Sequence, residues 1–267
     1  MDRAKVIAKS KRIVVKIGSR VITSSKNELD SSLINALVKD IKALYKKKHQ
    51  IIIVSSGAIV AGLKALKLGS RPTDLPLKQA ASAIGQVKLM QSYATAFKKY
   101  SIPVAQILLT REDLQSRHRY LNARNTLLRL LDKGVIPIIN ENDTVAVEEI
   151  KFGDNDTLSA LVSLMMDADL LAILTSIDGL YTDIPCDNKK AEFIPYVKKI
   201  TPAIEKMAKS KGDGAGGMET KIKAAKMLTE SGIPIIIANG REKQILTRII
   251  SGEEIGTFFA PIEKKRK

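Results

Sequence analysis

Lys16 stands near the end of an apolar run, Arg12 to Ile17, with Gly18 close behind it. A strand-end lysine can simply reach solvent along its stem. Beside a glycine that lets backbone approach a ligand closely, it can also carry positive charge to an anion. A second such cation is Lys221, in the first turn of a helical pattern that opens near Met218. A cation there is unfavourable unless an anion is close. Before it runs Gly212-Asp-Gly-Ala-Gly-Gly217, which formally matches the G-x-G-x-x-G dinucleotide fingerprint. That fingerprint must follow a strand, whereas this one follows the helical stretch Ala203 to Lys209. A glycine-rich loop remains, whose N–H groups and following helix N-terminus can cradle phosphate oxygens, against the plainer reading of a flexible linker. Neither the P-loop pattern nor the protein-kinase set of motifs occurs.

Hydrogen-bonding side chains gather elsewhere. Gly153-Asp-Asn-Asp-Thr157 puts two carboxylates and an amide directly before an apolar helix. Helix capping needs only one of them, and Asp156 alone could do it. With Asn140, Asn142 and Asp143 they form a cluster suited to an ammonium group, to metal-bound water or to orienting lysines. Ser56 and Gly57 offer a hydroxyl and backbone donors to a carboxylate.

These residues need a scaffold. Six apolar runs read as strands: Arg12 to Ile17, Gln50 to Val54, Val104 to Leu109, Val135 to Ile139, Leu170 to Leu174 and Pro234 to Ala238. Helical patterns separate most of them. After Asp30, Leu33, Ile34, Leu37, Val38, Ile41, Leu44 and Tyr45 fall on one face, and others cover Leu77 to Lys99, Tyr120 to Lys133, Thr157 to Met166 and Met218 to Ser231. The alternation predicts an α/β fold with a largely parallel sheet between helices. Lys16-Ile-Gly-Ser19, Ser55-Ser-Gly-Ala58, Asn140-Glu-Asn-Asp143, Thr175-Ser-Ile-Asp-Gly179 and Asn239-Gly240 follow five of the six strands, so polar residues converge on the edge where ligands of such sheets bind. Turn chemistry explains any one of them, but not five together.

Composition narrows the classes. The chain has 267 residues, 45% hydrophobic and 27% charged, as a globular protein does. Its single cysteine, Cys186, excludes an internal disulfide framework and a cysteine zinc cage, two histidines cannot by themselves form a histidine metal site, and no residue is singled out as a metal ligand. The longest charge-free apolar stretch, Gln50 to Leu63, is too short for a bilayer, and no signal-peptide core follows the basic start. A cytoplasmic protein without a membrane partner is expected. The net charge of +16 invites a nucleic-acid reading. Its basic runs, Lys46-Lys47-Lys48 and Lys264 to Lys267, lack interleaved aromatics, so no nucleic-acid partner is expected, although the excess charge would attract a polyanionic small substrate.

Several motifs in one order then become specific. They are Val15-Lys-Ile-Gly18, Val54-Ser-Ser-Gly-Ala-Ile59, Leu108-Leu-Thr-Arg111, Leu121-Asn-Ala-Arg124, Ile139-Asn-Glu-Asn-Asp143, Gly153-Asp-Asn-Asp156, Asp178-Gly-Leu-Tyr181 and Gly216-Gly-Met-Glu-Thr-Lys221. Nearly end to end, the chain resembles the amino acid kinase family. Ser55-Ser-Gly-Ala58, where phosphate-substrate and acetylglutamate relatives carry a glycine-rich segment, points to the free-glutamate branch that opens proline biosynthesis.

The resemblance implies a three-layer α/β/α sandwich forming a single domain over residues 1–267. Glutamate would be held by about residues 1–150 and ATP by about 151–260. The implied reaction transfers the ATP γ-phosphoryl group to the γ-carboxylate of L-glutamate, giving ADP and γ-glutamyl phosphate. By the same resemblance Lys16 and Lys221 flank the migrating group and Asp156 organises them. Ser56, Asp143 and Asn155 would bind glutamate. Lys16, Thr175, Ser176, Ala215, Gly216, Gly217, Met218, Glu219, Thr220 and Lys221 would bind ATP. Magnesium would be held mainly by phosphate oxygens and water, proline would inhibit by feedback, and a homo-oligomer is expected. Two departures stand out. Ser176 replaces the Asp that many relatives carry after the Thr, and the chain ends soon after Phe259, where many bacterial relatives continue into a small PUA domain. The alternatives are a sibling kinase acting on another small carboxylate or phosphate and a nucleotide-binding regulator without catalysis.

Overall fold

A computed structural model describes residues 2–26, 28–146, 155–183, 188, 190–208 and 217–262. Ten strands occur among them: β1 Arg12–Ile17, β2 Gln50–Ser55, β3 Val104–Leu109, β4 Ile136–Glu141, β5 Leu170–Thr175, β6 Leu180–Tyr181, β7 Phe193–Ile194, β8 Tyr196–Val197, β9 Ile235–Asn239 and β10 Thr257–Phe259. Eight form one sheet in the order β3-β4-β2-β1-β5-β9-β10-β8, and β6 with β7 forms a separate antiparallel pair. All neighbours in the large sheet are parallel except β9 and β10. The strand order reverses at β1, with β2 on one side and β5 on the other, which makes the carboxyl end of β1 the sheet's switch point. Lys16 lies level with Val54 of β2 and Ile173 of β5.

Strand alternation divides the core into two layers. Ile13, Val15, Ile17, Ile51 and Ile53 face a cluster built with helices Ser31–Lys46, Leu75–Lys98 and Ile245–Ile250. Val14, Ile52, Val54, Leu171 and Ile173 face the other side, covered by helices Arg117–Asp132, Asn155–Met165 and Met218–Glu230. The three-layer α/β/α arrangement is therefore as expected. Lys16, one step out of phase with Val15 and Ile17, shares the second face.

The strand boundaries differ from expectation mainly at their carboxyl ends: β2, β4, β5 and β9 run on into Ser55, Glu141, Thr175 and Asn239, while β4 and β9 begin one residue later, at Ile136 and Ile235. A polar side chain does not end a strand whose backbone still finds ladder partners. Helix Leu75–Lys98 begins earlier than expected because Asp74 accepts the Leu77 N–H at 2.9 Å and Pro76 fits the first turn. Helix Arg117–Asp132 also begins earlier, and Asn155–Met165 includes the two residues before Thr157. The short strands β6, β7, β8 and β10 and helix Ala58–Leu63 were not expected, since so few residues carry no readable period. Among the described residues no helix is long and apolar enough to cross a membrane.

Two elements fix the height of the helices against the strand ends. Arg124 donates from Nε to the Met165 carbonyl and from Nη2 to Asp167, both at 2.8 Å, pinning the far end of helix Asn155–Met165. Gly57, at φ +115°, opens helix Ala58–Leu63, which crosses helix Leu75–Lys98 almost backbone to backbone. A Cβ on Gly85 would stand 1.7 Å from the Ala58 carbonyl oxygen, and one on Gly62 1.9 Å from that of Ala81. Gly85→Ala therefore sets a helix-propensity gain of about 1 kcal/mol against an overpacking cost of about 1–3 kcal/mol or more. Because the clash is with backbone, the cost prevails: urea unfolding should show net destabilisation, and a midpoint at or above wild type would contradict this crossing.

Candidate active site

The expected trio of charged residues meets at the switch point. Lys16 Nζ lies 2.5 Å from Asp156 Oδ1, and Lys221 Nζ lies 3.1 Å from Asp156 Oδ2. Lys16 arrives from β1, Asp156 from the first turn of helix Asn155–Met165 and Lys221 from the first turn of helix Met218–Glu230. Thr220 donates its hydroxyl to Asp156 Oδ2 at 2.8 Å and also lies 2.8 Å from the Gly217 carbonyl, which Lys221 Nζ approaches at 3.4 Å. Asp156 thus spends its oxygens on ammonium and hydroxyl groups, which goes beyond helix capping.

Burial sets the energetics. Lys16 and Lys221 are 4% exposed and Asp156 is 0% exposed. Burial pushes the Asp156 carboxyl up, but the charges of Lys16 and Lys221 and the hydrogen bonds from Lys16 and Thr220 outweigh it, so its pKa lies below the ordinary carboxylate value. The three ionised groups sum to one positive charge. Two helix N-termini add to the positive potential on the same rim. The balance of the trio favours an anion.

Beside this trio lies a neutral hydrogen-bonding group. Asn155 directs Nδ2 toward the Ser55 carbonyl at 3.1 Å, the Ser56 hydroxyl at 3.0 Å and Asn140 Oδ1 at 2.9 Å. The Ser56 N–H is held by the Ile17 carbonyl at 3.0 Å, which ties the second strand end to the first. Asp143 accepts a hydrogen bond from Ser82 at 2.6 Å, on the adjoining helix Leu75–Lys98. Ser56, Asn155 and the trio are therefore contiguous, and Asp143 belongs to the same rim through the loop after β4. Ser82, Gln86 and Tyr93 reach this region from helix Leu75–Lys98, Tyr93 through a 2.9 Å bond to Ser55. None of the three was anticipated: a polar residue at helical spacing within an otherwise apolar face is the available signal.

Other expected residues have different places. Thr175 ends β5, on the face of Leu171 and Ile173 by alternation, and its carbonyl accepts the Gly240 N–H at 2.8 Å. Ser176 follows it and is half-buried. Met218 packs against the second core cluster, and Glu219 pairs with Lys223 at 2.9 Å along its own helix. Ala215 and Gly216 lie outside the described residues, as does the stretch Gly153-Asp154. Among the described residues no group of three or more His, Cys, Asp or Glu side chains could hold a metal ion.

Comparison with known proteins agrees with this architecture. Residues 11–239 match the amino acid kinase family. The glutamate 5-kinase of Pelobacter propionicus is 49% identical over 263 residues, covering 98% of this chain and 70% of that protein. The glutamate 5-kinase of Geobacter metallireducens is 51% identical over 261 residues, covering 97% and 70%. Among solved structures, UMP kinase from Bacillus anthracis superposes with a TM-score of 0.68 at 17% identity, over 95% of this chain and 97% of that one. Carbamate kinase from Giardia lamblia bound to AMP-PNP gives 0.66 at 16% identity, over 96% and 100%. At such identities the two structures speak for the fold alone.

The trio makes a stability prediction. Asp156→Asn removes the carboxylate from between two buried ammonium groups and should cost about 3–5 kcal/mol in urea unfolding. A carboxylate with a depressed pKa contributes stability that is complete above its unfolded value, about 3.9, and is lost as pH falls through the lower folded value. Wild type should therefore lose this increment on acidification below about pH 4, whereas Asp156→Asn should show a flatter acid limb. Parallel acid limbs, or a loss under about 1 kcal/mol, would contradict a charged Asp156.

Proposed function

The chain belongs to the amino acid kinase family, and from that premise we infer its activity: it is a glutamate 5-kinase, transferring the ATP γ-phosphoryl group to the γ-carboxylate of L-glutamate. The glutamate 5-kinases that match over nearly its whole length support the substrate. The one structural observation that carries the chemistry is Asp156 bridging Lys16 and Lys221 in a buried setting.

The reaction needs little covalent help. A γ-carboxylate is already a nucleophile and requires no general base, so the protein's task is to align the reactants and to neutralise the oxygens of the phosphoryl group in flight. We assign that neutralisation to Lys16 and Lys221. Preorganised ammonium groups away from water stabilise developing charge without reorganising at the moment of transfer. Asp156 and Thr220 act as positioning residues that hold the lysines. Glutamate is assigned to the rim formed by Ser56, Asp143 and Asn155, the first two in the half made of residues 1–150 and Asn155 just beyond it. Thr175, Ser176 and residues Ala215 to Lys221 are assigned to ATP in residues 151–260.

Magnesium would be carried by the nucleotide. Both Asp156 oxygens are engaged by ammonium and hydroxyl groups. These residues therefore fit a cation held by phosphate oxygens and water rather than by this carboxylate. The bound ion would neutralise phosphate charge. Feedback by proline, a homo-oligomer and a cytosolic location belong to the same reading.

An assay with ATP, magnesium, glutamate and hydroxylamine tests the assignment: γ-glutamyl hydroxamate should form above the no-glutamate control. A different acceptor giving hydroxamate while glutamate gives none would sink it. Lys16→Ala or Lys221→Ala should lower kcat by roughly a hundredfold or more. Asp143→Ala or Asn155→Ala should raise the glutamate KM far more than the ATP KM, by about tenfold or more for the loss of a charged hydrogen bond. Equal rises in both KM values would remove these two residues from the glutamate site.

A further inference from the structure

We infer that Gln86 is a positioning residue for the acceptor amino acid: acting through Asn140, it fixes which way the Asn155 amide faces and so leaves the Asn155 carbonyl for the substrate's ammonium group. This rests on the assignment of Asn155 to the glutamate site above.

The argument starts from a group that cannot turn over. The Ser55 backbone carbonyl can only accept, so the amide end of Asn155 beside it at 3.1 Å must be the NH2 end. That choice propagates. Asn140 must offer Oδ1 to Asn155, at 2.9 Å, and its own Nδ2 must then point away, toward Gln86 Oε1 at 2.9 Å. Gln86 in turn donates from Nε2 to Gln106 Oε1 at 3.2 Å. Three successive amide hydrogen bonds run in one direction, from the substrate rim to the exposed Gln106 on the edge strand β3.

Burial makes this order consequential. Asn140 is 4% exposed, and Gln86 and Asn155 are each 9% exposed. A buried amide that loses its acceptor is costly, and satisfied networks specify one arrangement. Without Oε1 of Gln86, Asn140 has no reason to keep its Nδ2 inward. Turned over, it would present NH2 to the NH2 of Asn155, and Asn155 would have to move. With both Nδ2 protons shared among three protein acceptors, Asn155 has only acceptor capacity to give, which suits an ammonium group.

The helix carrying Gln86 places it for this task. Ser82, one turn earlier, grips Asp143 while Gln86 grips Asn140, so one helix face holds two residues of the loop after β4 and its strand end. Gly85 lies between them, at the close crossing with helix Ala58–Leu63.

Steady-state kinetics of the full chain, with hydroxamate detection and both glutamate and glutarate as acceptors, test this. Gln86→Met keeps the bulk but removes the acceptor. It should raise the glutamate KM by about tenfold or more, leave the ATP KM within about twofold, and shrink the preference for glutamate over glutarate, which lacks the amino group. Gln86→Glu keeps an acceptor toward Asn140 and should return the glutamate KM to within about threefold of wild type. A Gln86→Met enzyme with wild-type KM and preference, or equal rises in both KM values, would overturn the inference while leaving the activity standing. If Gln86→Met does not fold, Gln86→Glu against the donor-only Gln86→Lys decides: a higher glutamate KM in Gln86→Lys supports the inference, and equal values contradict it. A wild-type chain that forms no γ-glutamyl hydroxamate would overturn the functional reading and this inference with it.

Discussion

A carboxylate shielded from solvent, Asp156, holds two lysines that reach it from different elements. Much of the molecule follows from keeping that contact. Two ammonium groups this deep would repel each other and lose their hydration, and only a charge placed between them makes the burial tolerable. The sheet supplies the geometry. Its order reverses at β1, so β1 can deliver Lys16 to the same rim on which two helices present their N-termini. Taken by themselves, the three groups sum to one positive charge, which favours an anion beside them.

The neighbouring amide group follows a different physical logic. Asn155 and Asp156 are consecutive, so one helix N-terminus serves both the charged trio and the polar rim. On the charged side the interactions are strong and few. On the neutral side they are weaker and depend on order, because amides carry both donors and acceptors and can be assembled backwards. Close packing of helix Ala58–Leu63 on Leu75–Lys98 brings Ser82 and Gln86 to that rim, and glycines at the crossing allow it.

Much of this was legible in the sequence, for identifiable reasons. Lys16 could be placed because β1 is apolar on both faces, so one lysine near its end is conspicuous and alternation gives its side of the sheet. Asp156 and Lys221 were legible as charged residues in the first turns of helices, where their types conflict with or exceed what capping needs. Ser82 and Gln86 were not legible, because a polar residue inside a long helix reads as solvent-facing until the helix is seen to cross a second one backbone to backbone. The short strands β6, β7, β8 and β10 were missed because two or three residues carry no period, and the antiparallel β10 beside β9 depends on pairing distant in sequence. The polar strand ends were read as loops because Ser, Thr and Asn are turn-prone residue types, whereas their backbone still serves the ladder.

The most direct measurement of the central claim is calorimetric binding of ADP with aluminium fluoride, magnesium and saturating glutamate, compared with ADP alone, in wild type and in Lys16→Ala. If the lysine pair held by Asp156 exists to stabilise the phosphoryl group in flight, the substitution should weaken the fluoride complex about a hundredfold while ADP alone changes by less than about threefold. Equal losses for the two ligands would mean that the trio binds nucleotide or supports the fold without acting on the transferring group, and would contradict the account.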